Sequence, residues 1–378
     1  MQSRDPLTIL QLVPKLSTGG VERGTVQIAE ALVKENHRSI VVAEEGPLTE
    51  ELLNTGSEYI NWPIGGKKLS TFFFVNKLQK LCLSEGVDIV HARSRLPAWI
   101  ARIALSKIEK TQRPLWITTV HGPYTVGLYS QVMVSGQRII AISNFIREYI
   151  LNNYKHVDEK KIITIPRGVD EKTHFFSFSP DKTWQVRWRQ ELGTKADLPI
   201  LTLPARLTRW KGQTNFIEML RILKDKGISF HGLIVGGTSK NKKKYKNELE
   251  TLIKNSSLSE NISFLGNRAD LREIMSVSNV VFSVTDEPEA FGRTTAEALS
   301  LGTPVVGYAH GGTKEIMSNW FPGGLVPVGD ISEAANRTQG FLKAPPSIPE
   351  INPFTSKKMK EHTINIYEEL AYGNCLPI

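Results

Sequence analysis

The stretch EPEAFGRTTAEALSLGTPVV, residues 287–306, places two glutamates on either side of a glycine turn. Glu289 precedes the turn and Glu297 follows it, and the AFG between them is too small and flexible for the middle of a strand or helix. Gly292 allows a sharp turn and the close approach of a ligand, so we predict a helix that begins near Arg293 or Thr294. The first backbone N–H groups of such a helix lack partners and carry partial positive charge, which favours an anion, most often a phosphate.

Outward from this stretch, apolar runs alternate with helical patterns along the chain. The first half holds predicted strands at 7–14, 39–44, 87–93, 115–122, 138–143 and 161–170. After the polar, aromatic stretch 171–197 the pattern starts again, with predicted strands at 199–207, 230–237, 262–266, 280–284 and 304–309. Strands that alternate with helices form βαβ units in a parallel sheet. The sequence therefore predicts an α/β protein with two consecutive doubly wound, Rossmann-like domains.

We place these domains at residues 1–170 and 171–350, followed by a C-terminal helix within 351–378 that packs back toward the N-terminal domain. Open α/β sheets bind their ligands at the carboxyl ends of the strands. With two such domains facing each other, the ligand is expected in the cleft between them. The stretch 287–306 directly follows a predicted strand and is therefore expected at the wall of that cleft.

The composition limits the class of protein. Hydrophobic residues make up 40% and charged residues 22% of the chain, which is typical of a globular protein. No run approaches the ~18 apolar residues of a transmembrane helix, and the start of the chain lacks the pattern of a signal peptide. The two cysteines, Cys82 and Cys375, form neither a metal-ligand spacing nor a disulfide framework, which favours a reducing cytoplasm. The net charge of +9 fits either solubility alone or anionic partners, and no zinc-finger or RNA-binding signature points to nucleic acid.

The two glutamates and a basic turn together suggest a ligand. Because a carboxylate repels phosphate, Glu289 and Glu297 are expected to accept hydrogen bonds from hydroxyl groups on either side of a phosphate. A nucleotide sugar, with its ribose, diphosphate and sugar, has this pattern. Arg206 and Lys211 in PARLTRWKG end a predicted strand and could hold the diphosphate, with a solvated basic turn as the alternative. The chain contains no Asp-x-Asp, so this clamp is favoured over a metal ion, and no cofactor is expected.

The first half has a possible anion site of its own in STGGVE, residues 17–22. Gly19 and Gly20 link the first strand to the first helix, where backbone N–H groups could face a phosphate. A Gly-Gly pair can equally be only a turn. The stretch does not fit Gly-x-Gly-x-x-Gly, which counts against a dinucleotide oxidoreductase.

Five motifs in this order resemble those of glycosyltransferase family 4, whose members have the two-Rossmann GT-B fold. The motifs are LSTGGVE, IPRGVD, ARLTRWKG, EAFGRTTAEALSLGTPVV and HGGTKEI, and the resemblance spans about residues 8–330. One departure is Arg167 in IPRGVD, where the family more often has asparagine.

The resemblance implies a role for each matched residue. Glu289 would bind the transferred sugar and Glu297 the ribose. Arg206 and Lys211 would hold the diphosphate and stabilise it as it leaves. Gly19 and Gly20 would donate backbone N–H groups to the same phosphates.

Three further parts of the substrate site follow from the same resemblance. Phe291, Gly292 and Arg293 would form the substrate-binding turn, with backbone groups near the phosphate or sugar. Arg268 in GNRAD would meet the base. His121 in TTVHG would lie beside the sugar and the reaction centre, although a histidine at a strand end is more often structural.

The expected activity is a retaining transfer, in which the nucleotide diphosphate departs and an acceptor hydroxyl attacks from the same face. UDP is the preferred donor nucleotide, with GDP next. Two alternatives remain at this point: a GT-B epimerase of sugar nucleotides, and a protein that binds a nucleotide sugar without catalysis.

The segment 65–81, GGKKLSTFFFVNKLQKL, bears on the acceptor. Lys67, Lys68, Lys77 and Lys80 bracket three phenylalanines, a composition that suits peripheral contact with an anionic membrane. The alternative is a core helix whose phenylalanines pack inward. On the membrane reading, the acceptor is a lipid-linked glycan or a lipopolysaccharide intermediate at the cytoplasmic face.

Overall fold

The computed structural model describes residues 5–66, 68–237 and 243–373. The chain divides into two compact units. Unit 1 comprises the chain up to Gly168 together with the segment from Ser356 onward, and unit 2 is Val169–Thr355. Lys67 and Cys375 lie outside the described residues.

Unit 1 is built on a parallel sheet in the strand order β3-β2-β1-β4-β5-β6-β7. Its strands are β1 (Thr8–Lys15), β2 (Arg38–Glu44), β3 (Glu58–Asn61), β4 (Ile89–Ala92), β5 (Leu115–Val120), β6 (Arg138–Ala141) and β7 (Ile162–Thr164). The helices before the unit boundary are α1 (Gly20–Lys34), α2 (Thr49–Asn54), α3 (Phe74–Ser84), α4 (Arg95–Ser106), α5 (Leu128–Gln131) and α6 (Asn144–Asn153). The central strands are buried along their length, as expected for a sheet covered by helices on both faces.

The last helix, α14 (Ser356–Tyr372), returns to unit 1 and packs beside α1. Its Tyr367 is fully buried, and the Tyr367 hydroxyl lies 2.6 Å from Nδ1 of His91 on β4. The other ring nitrogen of His91 lies 2.6 Å from the hydroxyl of Thr119. The helix is therefore part of the unit 1 core, joined to it by polar as well as apolar contacts.

Unit 2 repeats the architecture with the strand order β10-β9-β8-β11-β12-β13, again parallel. Its strands are β8 (Ile200–Pro204), β9 (His231–Val235), β10 (Ile262–Gly266), β11 (Val280–Ser283), β12 (Val305–Tyr308) and β13 (Leu325–Val326). Its helices are α7 (Lys182–Leu192), α8 (Gln213–Asp225), α9 (Lys243–Asn255), α10 (Leu271–Ser276), α11 (Arg293–Ser300), α12 (Gly311–Trp320) and α13 (Ile331–Lys343). The two sheets confirm the predicted α/β class with two doubly wound units.

Helix α7 is the main element that the sequence pattern did not reveal, because it lies in the polar stretch 171–197. Asp181 caps its start by accepting a hydrogen bond from the backbone N–H of Trp184. Trp184 and Trp188 are buried and stacked, with ring centroids 5.1 Å apart. Two tryptophans four positions apart thus supply a narrow apolar stripe on a helix that is otherwise charged.

In the segment 65–81, the alternative of a core helix whose phenylalanines pack inward is wrong for Phe72 and Phe73. Phe72 is 46% exposed and Phe73 is 75% exposed, while Phe74 stacks on Trp62 with ring centroids 5.5 Å apart. Lys68, Lys77 and Lys80 are exposed on the same segment. Among the described residues, no helix is long and apolar enough to cross a bilayer.

Candidate functional site

The candidate site of unit 2 lies at the carboxyl ends of two adjacent strands, β8 and β11. The chain order of the strands reverses between them, since β9 and β10 continue on one side and β12 on the other. Such a switch point opens a crevice in which doubly wound sheets bind ligands. The basic turn with Arg206 and Lys211 follows β8, and the stretch with Glu289 follows β11.

Lys211 and Glu289 are in direct contact at this switch point. The Lys211 ammonium donates a hydrogen bond to Oε1 of Glu289, and the two side chains are only 15% and 21% exposed. Sequence analysis assigned these residues to different parts of a ligand, whereas the structure pairs them. Arg206, five positions before Lys211 in the same turn, is exposed, and in the described part of the chain its guanidinium has no hydrogen-bonded partner. One cation and one carboxylate therefore meet where the two strands end, and Arg206 lies in the same turn as the cation.

Two left-handed glycines shape the turns of this site. Gly212 has a φ of +76°, and a Cβ there would lie 1.9 Å from the carbonyl oxygen of Val284. Gly292 has a φ of +89°, and a Cβ there would lie 3.2 Å from the hydroxyl of Thr313. Any other residue would be strained at these positions. The glycines therefore let the basic turn and the start of α11 approach their neighbours closely.

Helix α11 begins at Arg293, as predicted, and none of the described side chains caps its first turn. Its leading N–H groups thus remain available to an anion. Glu297 is largely buried one turn into the helix, and its Oε1 accepts a hydrogen bond from Arg293 Nε at 2.7 Å. Phe291 is buried edge-on against Phe354, so this residue offers a ligand its backbone rather than its ring.

The HGGTKEI motif, which follows β12, holds the backbone of Glu289 in place. The backbone N–H of Gly312, at the start of α12, donates to the carbonyl oxygen of Glu289 at 2.7 Å. His310, which sequence analysis did not single out, lies before this helix with Nε2 3.4 Å from the Thr285 hydroxyl. Burial lowers the pKa of His310 below its ordinary value, against smaller opposing effects of a hydrogen bond with Thr285 and of the neighbouring carboxylates. The signal available in the sequence was the position of His310 two residues after the buried strand β12.

Arg268, expected near the base, is already engaged within unit 2. Its guanidinium donates to both carboxylate oxygens of Asp270, at 2.7 and 2.8 Å, and to Glu191 at 2.6 Å. The hydrogen bond from Arg268 lowers the pKa of Asp270 to about 2. The guanidinium also lies over the ring of Trp188. A ligand at this loop would therefore meet a guanidinium fixed in place by two carboxylates.

The glycine turn of unit 1 adjoins the start of α1. Gly19 is the residue before the helix, and no side chain in the described residues caps this end. The carboxylate of Glu22 lies against Gly19 and accepts a hydrogen bond from the Ser17 hydroxyl at 2.9 Å. Gly20 has open space around its Cα, so its backbone can be approached.

His121 follows β5 at the carboxyl edge of the unit 1 sheet. Its Nδ1 lies 2.8 Å from Nη2 of Arg167, and its Nε2 is buried with no hydrogen-bond partner among the described residues. Burial, and then the charge of Arg167, lower the pKa of His121 well below its ordinary value. Both effects favour the neutral form of the ring.

Sequence analysis missed Arg93, which follows β4 at the same edge. It is 3% exposed, and its Nη1 donates to the amide oxygen of Gln11 at 2.7 Å. Burial lowers the pKa of its guanidinium to about 10. The signal in the sequence was an arginine placed directly after the buried strand residues IVHA.

Within the described residues, no three His, Cys, Asp or Glu side chains lie close enough together to hold a metal ion. At the switch point of unit 2, Lys211 places its ammonium beside Glu289, and Arg206 lies in the same turn.

Comparison with known proteins agrees with the motifs. Residues 18–173 match the family model "Glycosyltransferase Family 4", and residues 185–358 match "Glycosyl transferases group 1". The chain belongs to glycosyltransferase family 4. It is an enzyme that transfers sugars, and its two units are the Rossmann-like domains of the GT-B fold.

Individual relatives of this glycosyltransferase are distant in sequence. The N-acetyl-alpha-D-glucosaminyl L-malate synthase of Bacillus anthracis is 22% identical over 71% of this chain and 68% of its own length. A crystallised glycosyltransferase from Rickettsia africae is 29% identical, with a TM-score of 0.80 over 98% of this chain and 100% of its own. Anabaena HepE in complex with UDP and glucose has the same fold, at 20% identity and a TM-score of 0.80 over 96% of this chain and 100% of its own.

Proposed function

We propose that this glycosyltransferase is a retaining enzyme that takes its sugar from a UDP-sugar, with a GDP-sugar as the next candidate. The observation that carries the proposal is the meeting of Lys211, Glu289 and the uncapped start of α11 at the switch point of unit 2. This arrangement places positive charge, which binds a diphosphate, within a few ångströms of a carboxylate, which binds hydroxyl groups. A nucleotide sugar needs both.

On this proposal the diphosphate binds between Arg206, Lys211 and the first N–H groups of α11. Lys211 then exchanges part of its contact with Glu289 for a phosphate oxygen, and Glu289 accepts hydrogen bonds from the sugar. Glu297, held at one oxygen by Arg293, accepts from the ribose. The turn of Phe291, Gly292 and Arg293 presents its backbone to the phosphates.

Retention follows if the nucleotide diphosphate leaves and the acceptor hydroxyl attacks from the same face. The leaving phosphate gains negative charge, and preorganised cations and helix N-termini stabilise charge where it develops. Arg206 and Lys211 supply the cations. His121, neutral and with its Nε2–H directed away from Arg167, can donate a hydrogen bond to the substrate rather than take its proton.

UDP is preferred as the nucleotide because HepE, which shares the fold, forms complexes with UDP and glucose. We place the base at the 266–270 loop, where Arg268 is rigidly held by Asp270 and Glu191.

The acceptor is proposed to be a lipid-linked glycan or a lipopolysaccharide intermediate, met at the cytoplasmic face of a membrane. Support comes from the exposed rings of Phe72 and Phe73 beside Lys68, Lys77 and Lys80. Exposed aromatic rings insert at the boundary between headgroups and acyl chains, and lysines are attracted to anionic lipids.

A donor screen tests the proposed function. The purified chain is titrated with UDP-, GDP- and ADP-sugars while its unfolding temperature is followed, and the best donor is then incubated with and without glycan acceptors. Release or transfer of the sugar supports the proposal. Interconversion of the donor without acceptor would identify an epimerase, and binding without any turnover would identify a non-catalytic protein.

A further inference from the structure

Two adjoining cavities of unit 1 lie at the edge of its sheet opposite to His121. The first has a volume of about 370 Å³, and its lining includes Gly136, which precedes β6, and Lys161, which precedes β7. The second, of about 320 Å³, is lined in part by the segment that leads into β5. Residues before the strands of a parallel sheet lie at its amino edge, whereas doubly wound domains bind their ligands at the carboxyl edge. These cavities are therefore separate from the groups assigned to the donor and the reaction centre.

The two cavities meet at Arg102 and Ser135, which line both of them, and together they form one groove. Arg102 lies on α4 and is exposed, and among the described residues no hydrogen bond or ion pair engages its guanidinium. Its N–H donors therefore remain available to a ligand. Each cavity alone reaches the volume of roughly 300–1,000 Å³ in which proteins bind small organic ligands.

Basic side chains predominate along this groove. Four of the lining residues carry a permanent positive charge: Arg102, Lys110, Arg113 and Lys161. His156 is a further lining residue that can become positive. Against them stands the carboxylate of Asp158, one oxygen of which accepts a hydrogen bond from the backbone N–H of Lys160 at 3.0 Å. This balance of charge favours an anionic ligand.

Contacts within unit 1 hold parts of the groove in place. The indole Nε1 of Trp99, in the first cavity, donates to the carbonyl oxygen of Tyr129 at 2.9 Å, and the ring is partly exposed. In the second cavity, Nε and Nη2 of Arg113 donate to the carbonyl oxygen of Ile108 at 3.1 and 2.8 Å, which orients the guanidinium without neutralising it. A fixed indole beside unpaired cations suits a ligand that carries a phosphate on an apolar or sugar ring.

We propose that this groove binds a small phosphorylated molecule, with Arg102 and Lys161 holding the phosphate and Trp99 covering the ring that bears it. The ligand is distinct from the nucleotide sugar, whose proposed binding residues are all in unit 2. The inference does not depend on the proposed function, since none of these three residues belongs to the donor site or the reaction centre.

Inorganic phosphate and a hexose phosphate are the probes for this groove. The unfolding temperature of the full chain is followed as each probe replaces chloride at constant ionic strength, in an Arg206→Ala, Lys211→Ala background that weakens phosphate binding in unit 2. We expect both probes to stabilise this protein, the hexose phosphate at the lower concentration. Arg102→Gln and Lys161→Gln should each weaken the apparent affinity about fivefold or more, since each removes a charged hydrogen-bond donor. Arg102→Lys should lose less, because it keeps the charge.

The ring of Trp99 is tested by comparing the two probes. Trp99→Ala should weaken the binding of the hexose phosphate, because its ring loses the indole face, and should leave the affinity for inorganic phosphate unchanged within about twofold. Equal losses for both probes would contradict the assignment of Trp99 to the ring of the ligand.

Arg187→Gln and Lys155→Gln are the matched controls, because both residues are exposed, neither lines the groove, and the change in net charge is the same. Both should bind the probes as the background protein does. Equal affinity in the groove variants and the controls, or no stabilisation by either probe, would overturn the site. Stabilisation by polyglutamate but by neither phosphate would assign the groove to an acidic protein partner and so overturn the proposal of a small ligand.

Discussion

Glu289 and Glu297 lie on either side of Gly292 and have different partners. Glu289 contacts the ammonium of Lys211, 78 positions earlier in the chain, whereas Glu297 contacts Arg293 on its own helix. One carboxylate is thus tied to the cation that is proposed to hold the diphosphate. The other is tied to the turn that is proposed to bind it.

Substitutions that neutralise the two glutamates should therefore have different effects on turnover and on ligand affinity. Glu289→Gln should reduce turnover of the nucleotide sugar but leave the affinity for free nucleoside diphosphate unchanged or higher, because it releases Lys211. Glu297→Gln should weaken both ligands by about 1 kcal/mol, since both contain the ribose. Calorimetric titration of each variant with UDP and GDP measures this, and equal losses of diphosphate affinity would show that the division of roles is wrong.

Removal of the basic side chains should weaken diphosphate binding without unfolding the protein. Lys211→Ala or Arg206→Ala should each cost roughly 1.5–3 kcal/mol of affinity for the nucleoside diphosphate. Arg209→Ala is the control from the same turn, because Arg209 is exposed and pairs with Glu248 instead. If all three variants bind the diphosphate as the wild type does, the phosphate assignment fails.

At the scale of elements, the segment from Lys68 to Lys80 exposes the large aromatic rings of Phe72 and Phe73 beside lysines. Its short 3-10 turn, Leu69–Phe73, leads into α3, whose buried face consists of Val75, Leu78 and Cys82. Burial of this face explains how the segment packs on unit 1. It does not explain why the rings of Phe72 and Phe73 are exposed.

Exchange of the exposed rings should therefore affect membrane binding but not stability. Phe72→Ser with Phe73→Ser should reduce co-sedimentation with vesicles that contain anionic lipid several-fold, because the burial of two rings is lost. Phe175→Ser in unit 2, where the ring is 42% exposed, should leave it unchanged. Binding of the double variant equal to that of the wild type, or no binding of the wild type to anionic vesicles, would rule out this surface.

At the scale of the whole molecule, histidines buried in a neutral state make stability depend on pH. Burial lowers the pKa of His231 to about 4, and it lowers the pKa values of His91 and His121 well below their ordinary range. Each of these groups takes up its proton at a higher pH when the chain is unfolded. Their contribution to stability is complete above the unfolded pKa of about 6.5 and is lost as the pH falls toward the folded value.

His231 lies in unit 2, away from the residues that are proposed to bind ligands, so its substitution tests this effect alone. Between pH 7 and pH 5 the free energy of unfolding of the wild type should fall by roughly 1–2 kcal/mol more than that of His231→Gln. His156→Gln, at an exposed histidine, should follow the wild type. Urea denaturation at the two pH values gives the comparison, and parallel pH profiles of wild type and His231→Gln would contradict it.

Sugar transfer by the whole enzyme should survive chelation of metal ions. The proposed clamp on the leaving diphosphate consists of Arg206, Lys211 and the start of α11, so EDTA should leave the rate unchanged within about twofold. The measurement is the initial rate with the best donor, before and after dialysis against EDTA. Complete loss of activity that magnesium or manganese restores would contradict this clamp.

The sequence by itself determined the architecture and the local shape of the site. Runs of buried β-branched residues between helical patterns require two parallel sheets, because each element must bury its apolar face against the next layer. The glycine turn and the helix that begins at Arg293 were also predictable, since both depend on backbone conformation within a few residues. Strand ends were less so: the strand predicted at 87–93 is Ile89–Ala92. A local sequence pattern does not show at which residue a strand loses its hydrogen-bonding partner in the sheet.

Only the tertiary structure decided which side chains meet. The contact of Lys211 with Glu289 joins the turns after two strands that become neighbours only in the folded sheet. Arg93 and His121 each have a buried nitrogen without a hydrogen-bond partner among the described residues, and they follow two separate strands. Whether such a buried group finds a partner depends on every element packed around it. The same holds for Phe72 and Phe73, whose exposure depends on which face of the segment the core leaves uncovered. Such contacts depend on the packing of distant segments, which a local sequence pattern does not record.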